Sequence, residues 1–357
     1  MNDFLIIGGG IAGVSAAARL SHLGRVVLLE AEAGLAYHTS GRSAAMYEPT
    51  YGLPPVVALS EASGDFFRAL PGMLSPRGLM ILARADQRET LLRDMEAMGL
   101  APLEVDEARA RVPIINPAVV RFAAAGDHAW DIDTDLLLQH FAREARMNGA
   151  EIVTGAAVQA ITRQNGHWLV TTAKGAYQAR LLINAAGAWA DRIAAMAGVR
   201  PIGLQPNRRS MARIPAPGGH DLRSWPMIFG TGESWYAKPD AGALIVSPAE
   251  EHPMDPHDAW ADDTVLAEGL ARYEEMVTEP VTRLISSWAG LRTFAPDRVL
   301  VIGRDRRQPD FFWLAGQGGY GFQSSAAASQ LAADLIAGRT PTLSSDLVIA
   351  LDPARFG

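Results

Sequence analysis

The chain has 357 residues, 48% of them apolar and 20% charged, with a net charge of −7. That length exceeds one small core and suits two interleaved domains, while the acidic balance argues against a general nucleic-acid binder, which needs clustered Lys and Arg. There is no cysteine, which excludes disulfides, thiolate metal sites, a Cys nucleophile and a flavin tethered through Cys.

Only Met1, Asn2 and Asp3 precede the first apolar run, so no basic signal-peptide start is present. No apolar stretch approaches the roughly 18 residues that a membrane span needs. The expected location is the cytoplasm, with a peripheral place at the inner membrane as the other option.

In chain order, Phe4–Ile7 is a short apolar strand that breaks into Gly8-Gly9-Gly10. A helix rich in small residues follows from Ile11 to about Leu23, and Arg25–Glu30 reads as a second, buried strand. Together they make a βαβ unit with a right-handed crossover. A glycine-rich irregular segment runs from Gly34 to about Gly52. Helices are predicted near Arg88–Met98, Asp106–Arg111 and Leu136–Asn148; Asp131, Asp133 and Asp135 fit capping of the third, because the glycine and terminal glutamate of a calcium loop are missing.

Short strands are predicted at Glu151–Val153, Ala157–Arg163, Trp168–Thr172 and Ala179–Ile183, and a hairpin joins Trp235–Lys238 to Ala243–Val246. Strand Phe311–Ala315, loop Gly316–Gly321 and a helix from about Ser324 to Ile336 follow. The last twenty residues show no readable pattern.

Gly8-Gly9-Gly10-Ile11-Ala12-Gly13 fits G-x-G-x-x-G directly after a strand and at the start of a helix. The first glycine makes the tight turn, the second admits a pyrophosphate close to the backbone, and the third brings helix and strand together. The free amides of the helix N-terminus then attract phosphate. Glu30 closes the second strand, placed to accept ribose hydroxyls. Nicotinamide and flavin dinucleotides share this fingerprint. Two further segments favour FAD: Tyr37-His-Thr-Ser-Gly-Arg-Ser-Ala-Ala45, and a second glycine loop, Gly316-Gln-Gly-Gly-Tyr-Gly321, that again joins a strand to a helix.

These segments, with Asn184-Ala-Ala-Gly-Ala-Trp189 and Trp288-Ala-Gly-Leu-Arg292, resemble the D-amino-acid oxidase (DAO) family of FAD enzymes, and within it the bacterial D-arginine dehydrogenases. The resemblance runs in order from residue 1 to about 335. It implies an α/β and α+β fold: a Rossmann-like FAD-binding domain (1–76, 132–202 and 296–357) interleaved with a substrate-binding domain on a mixed or antiparallel sheet (77–131 and 203–295). It also implies hydride transfer from Cα of an amine to flavin N5, giving an imine that hydrolyses to a keto acid and ammonia. Oxygen, a quinone or another carrier would take the electrons; the sequence does not separate them.

Carried over residue by residue, the resemblance assigns Gly8, Gly10–Gly13 and Glu30 to FAD, with His38, Ser40–Ser43 and Ala45. Val158, Ala186, Gly187, Trp189, Gly290, Gly318–Gly321 and Gln323 complete that set. His38 resembles a histidine that some relatives bond to the flavin, but non-covalent FAD is the expectation. Arg292 is the substrate-carboxylate arginine, a role that the planar guanidinium suits. Arg209 matches a second one, although a solvated basic strand is an alternative for Arg208 and Arg209. Tyr236 and Tyr51 match pocket tyrosines, and Gly319 presents backbone to the substrate.

The departures from the D-arginine dehydrogenase pattern bear on specificity. Leu79 stands where the acid for the substrate's distal cation would be, and Met46 replaces a histidine in the preceding loop. A guanidinium buried there without a partner would cost on the order of several kcal/mol. Glu48 could substitute for the acid, but is read as a surface residue. The expected substrate is therefore a D-amino acid with a neutral or apolar side chain. Alternatives are a glycine- or sarcosine-type amine oxidase and, from another class, a non-catalytic flavin-binding subunit.

Overall fold

The computed structural model describes residues 1–357. It is built on two large sheets. The first has eight strands around β1 (Asn2–Ile7). It pairs in parallel with β2 (Val26–Leu29) on one side and with Gly175–Asn184 on the other. Glu151–Val153 extends the parallel block beyond β2, and Phe311–Ala315 extends it beyond Gly175–Asn184. The hairpin Val158–Gln164/His167–Thr172 branches off Gly175–Asn184, and Val301–Arg304 runs antiparallel to Phe311–Ala315.

Both faces of the parallel block are covered, which is why Leu5–Ile7 and Val26–Leu29 read as continuous apolar runs rather than alternating ones. One face packs on a 38-residue core that includes Ala16–Ala18 of α1 (Ile11–Leu20); the other packs on a 19-residue core around Trp168 and Trp313.

The second sheet has nine strands and is antiparallel except where Met227–Gly230 runs parallel to Leu79–Ala83. Its backbone is the ribbon of Gln205–Pro215 and Ser286–Phe294, paired over nine positions. The predicted hairpin is present as Tyr236–Asp240 and Ala243–Ser247. A small third sheet joins Met46–Tyr47 and Leu74–Pro76 to Trp130–Ile132.

The predicted helices and strands fall within a few residues of the observed ones, and Arg88–Met98, Glu151–Val153 and Phe311–Ala315 coincide with them. Asp133 caps the helix Thr134–Met147 by accepting the Leu136 amide. Asp131 instead pairs with Arg77 and Lys238. Four helices escaped the sequence reading: Pro54–Ala69, Ala190–Met196, Asp263–Glu275 and, in the tail that looked patternless, Ser345–Leu351. The last is a short amphipathic turn that anchors Leu347 and Leu351 in the core while Ile349 stays exposed.

The βαβ turn is fixed by contact. Gly8 has φ +111° and lies against the Ala185 carbonyl; a Cβ on Gly13 would stand 1.9 Å from the Gly8 carbonyl oxygen. The obstacle is backbone on both sides, so Gly13→Ala must push β1 and α1 apart. We expect it to cost about 1–3 kcal/mol, read as a lower melting temperature of the purified protein.

Candidate active site

A cleft follows the glycine turn along the carboxyl ends of the parallel strands, where open α/β sheets bind ligands. Its outer part, about 390 Å3, is lined by Gly9, Gly10, Glu30, His38, Ser40, Val158, Ala186, Gly187 and Trp189. Its inner part, about 110 Å3, is lined by Ile11, Ala12, Ser40, Arg42, Ser43, Gly290, Gly318, Gly319 and Gly321. Gly10, Thr39, Ser40, Ala185 and Gly187 belong to both, so the two parts are continuous.

The residues fit an elongated dinucleotide. The amides of Ala12 and Gly13, in the first turn of α1, have no acceptor within the protein, whereas that of Ile11 is taken by Ser40 Oγ at 3.0 Å. Such free amides and the helix dipole favour a pyrophosphate. Glu30 is buried at the far end, its carboxylate accepting the amides of Gly9 (2.6 Å) and Glu32 (2.8 Å). Ordered in this way, it keeps lone pairs for ribose hydroxyls.

Arg42 ties this cleft to the second sheet. It donates to the carbonyls of Ala259 and Ala289 and pairs with Asp258 at 2.5 Å. His38 sits between acids, with Nε2 3.0 Å from Glu32 and Nδ1 3.8 Å from Asp258, and packs against Trp189.

Beyond the inner part lies a small cavity of about 80 Å3, sharing Ser43, Arg209, Arg292 and Gly319 with the cleft. The ribbon register explains how the two arginines meet. Arg209 pairs with Gly290 and Arg292 with Asn207, so the arginines are diagonal neighbours on one face of adjacent strands. Gly290, directly opposite Arg209, leaves that face open.

Arg292 has neither a hydrogen bond nor an ion pair with any protein group. Gly319 approaches so closely that a Cβ there would stand 3.0 Å from the guanidinium carbon. Burial alone would lower its pKa, but Tyr51, Tyr236, Glu233 and Glu251 outweigh burial and raise it, so the side chain stays cationic. Arg209 is 3% exposed and bonded to Glu251 at 3.1 Å; its Nε and Nη1 have no partner. Burial and the Arg292 charge push its pKa down. The solvated-strand alternative for Arg208 and Arg209 is thereby excluded, since both are buried and paired with acids.

The Tyr236 hydroxyl is buried in the same cavity without a partner. Tyr51 donates to Glu233 Oε2 at 2.9 Å, and burial with that acid raises its pKa.

Met46 and Leu79 line the cavity with Met98, Met227 and Phe229. Glu48 corrects the sequence reading: it is no surface acid. It is 5% exposed and lines the cavity, because Pro49 and the Thr50 amide turn the chain inward there. Its Oε1 accepts the amide and hydroxyl of Thr50, and its backbone amide donates to Gln323.

Four residues read as cofactor ligands lie outside the cleft. Ala45 and Gln323 line the cavity, and Tyr320 lines a vestibule of about 280 Å3 beyond it. Gly41 packs its backbone against the Ala36 carbonyl.

The sequence reading missed Glu233, Met98 and Met227 in the cavity and Thr39, whose hydroxyl donates to the Leu291 carbonyl. For Glu233 the one local signal was Gly232 in a tight turn, where both residues adopt positive φ.

The family model for FAD dependent oxidoreductases of the DAO type matches residues 3–335. Human mitochondrial dimethylglycine dehydrogenase is 24% identical over 99% of this chain, which spans 44% of that protein. The glycine oxidase structure from Geobacillus kaustophilus superposes with a TM-score of 0.81 at 21% identity, covering 96% of each chain. L-α-glycerophosphate oxidase from Mycoplasma pneumoniae, with FAD bound, gives 0.83 at 22% identity over 96% of each chain. At such identities the structural matches speak to the fold alone. No helix is long and apolar enough to cross a membrane. With the family model covering nearly the whole chain, and a cleft that fits its dinucleotide, the protein belongs to the DAO family of FAD dependent oxidoreductases.

Proposed function

We propose that the chain oxidises the Cα–N bond of a small amino acid that keeps a free carboxylate. The observation that carries this reading is Arg292: a half-buried guanidinium without a protein partner, on the wall shared by cofactor cleft and cavity. A cation held in a pocket with no bonded counter-ion suits an anionic ligand, and a carboxylate matches its fork. Arg209 offers two further free nitrogens, and the unpartnered Tyr236 hydroxyl supplies another polar contact.

When bound, FAD supplies a two-electron acceptor. The residues of the chain hold the substrate carboxylate, orient Cα towards the cleft and shield it with Met98, Met227 and Phe229. The imino acid released would hydrolyse to a keto acid and ammonia. The two sheets support the division into a cofactor domain (1–76, 132–202 and 296–357) and a substrate domain (77–131 and 203–295), because their strands fall on opposite sides of it.

The resemblance to D-arginine dehydrogenases favours the D series with a neutral side chain, since Leu79 and Met46 leave no acid at those positions. A glycine- or sarcosine-type substrate is a second reading, favoured by a cavity of about 80 Å3, against the roughly 300 Å3 at which pockets for drug-sized ligands begin. Relatives that bear the names glycine oxidase and dimethylglycine dehydrogenase support it equally. A non-catalytic flavin-binding subunit would have no need of the unpaired Arg292.

Anaerobic addition of D- and L-amino acids, glycine and N-methylglycines to the flavoprotein should bleach the flavin band with at least one of them; bleaching by none would overturn the proposal. D-arginine or D-lysine as the best substrate would overturn the neutral side chain. Oxygen uptake against dye reduction would then identify the acceptor.

Arg292→Leu removes charge-assisted hydrogen bonds of about 1.5–3 kcal/mol each. Steady-state kinetics should show kcat/KM falling about 10- to 150-fold or more, largely through KM.

FAD is proposed to be non-covalent, with both nitrogens of His38 facing acids. Acid precipitation should leave the yellow colour in the supernatant; colour in the pellet would show a bond to the protein. Glu30→Ala should weaken FAD binding about tenfold or more, measured by titrating apoprotein.

A further inference from the structure

The cavity has two chemically distinct ends. Arg292 stands among Arg209, Tyr51, Tyr236, Tyr320, Glu233 and Glu251, whereas the ionisable group beside Glu48 is His128. Glu48 lines the same cavity as the two arginines and makes no hydrogen bond or ion pair with either. With the substrate carboxylate on Arg292, Glu48 is free to meet the substrate side chain.

The Glu48 carboxylate is fixed on one side only. Thr50 supplies two donors to Oε1, while Oε2 is buried with no hydrogen-bond partner. His128 Nε2 stands 3.5 Å from it and also makes no hydrogen bond. A buried acceptor left open costs stability unless a ligand satisfies it.

We propose that Glu48, steadied by Thr50 and flanked by His128, is a side-chain subsite that selects amino acids whose side chain ends in a neutral hydrogen-bond donor, a hydroxyl or a primary carboxamide. The inference rests on the proposed amino-acid oxidation and narrows its substrate class.

The surroundings favour a neutral donor over a cation. No second acid adjoins the Glu48 carboxylate, whose ionisable neighbour is the His128 imidazole, and Met46 and Leu79 on the cavity wall offer a cation nothing to bond. They also disfavour a plain apolar side chain, which would leave Oε2 desolvated and unpaired. Burial pushes the Glu48 carboxyl up, while Thr50 and His128 pull it back.

The test compares isosteres within one enzyme: serine against 2-aminobutyrate, threonine against valine and asparagine against leucine, in both enantiomers. Each ratio of kcat/KM cancels losses common to a pair. In the unaltered holoenzyme the donor-bearing member should win by about 10- to 150-fold, and in Glu48→Met the ratio should fall to about 1 or invert. His128→Phe, which keeps the bonds from Thr50 to Glu48, should instead improve lysine or ornithine relative to the neutral donors.

If amino acids bleach the flavin but the isostere ratios are equal in the unaltered and Glu48→Met enzymes, the subsite is refuted and the proposed oxidation stands. If nothing bleaches it, the proposed oxidation fails first. FAD content and melting temperature of each variant separate misfolding from a lost contact.

Discussion

The site depends on a cation that the protein does not neutralise by direct contact. Arg292 is half-buried on the wall between cleft and cavity, where water is a poor substitute for a bonded anion. The cost is reduced but not removed. Glu251 and Glu233 lie close enough to stabilise the charge, yet each is engaged elsewhere, with Arg209 and Tyr51 respectively. The donors of Arg292 therefore remain free, while the ionised state is held firmly. Such an arrangement binds an anionic group tightly only when the rest of the ligand fits the cavity, because either end alone leaves polar atoms unsatisfied.

The framework around Arg292 follows from sheet geometry. The ribbon of Gln205–Pro215 and Ser286–Phe294 places Arg209 and Arg292 on one face, and Gly290 removes the side chain that would stand between them and the cofactor cleft. Lys238, on the neighbouring hairpin, is buried and donates to the carbonyls of Ala44 and Ala45 while pairing with Asp131. Burial lowers its pKa and Asp131 opposes that shift. The contact clamps the loop at Ala44 and Ala45 to the second sheet, so the cleft and the two arginines are held together.

The cofactor half was legible because its requirements are local. A strand, a glycine turn and a helix N-terminus must be consecutive, so their signature survives as a string, Gly8–Gly13, closed by Glu30. The side chains of the substrate half come from segments far apart in the chain. Resemblance located Arg292, Arg209, Tyr236 and Tyr51, but periodicity alone would not have separated them from other strand residues. Glu48 was misread because its neighbours Pro49 and Thr50 look like a surface turn; that the turn points inwards follows from Gln323, which is remote in sequence and bonds the Glu48 amide. His128 gave no signal and Glu233 only an adjacent glycine, since each matters only through what lies opposite it.

By itself, then, the sequence determined the dinucleotide turn, the alternation of strands and helices, and the absence of thiol chemistry, all of which depend on residues adjacent in the chain or on composition. The tertiary structure decided which polar groups are left without partners. Whether Arg292 is paired, whether Glu48 is wet or buried, and which side chains share a cavity of about 80 Å3 are set by strand register and packing between distant segments. The energy of a charge depends on what surrounds it in space, and that surrounding is not encoded at any single place in the chain.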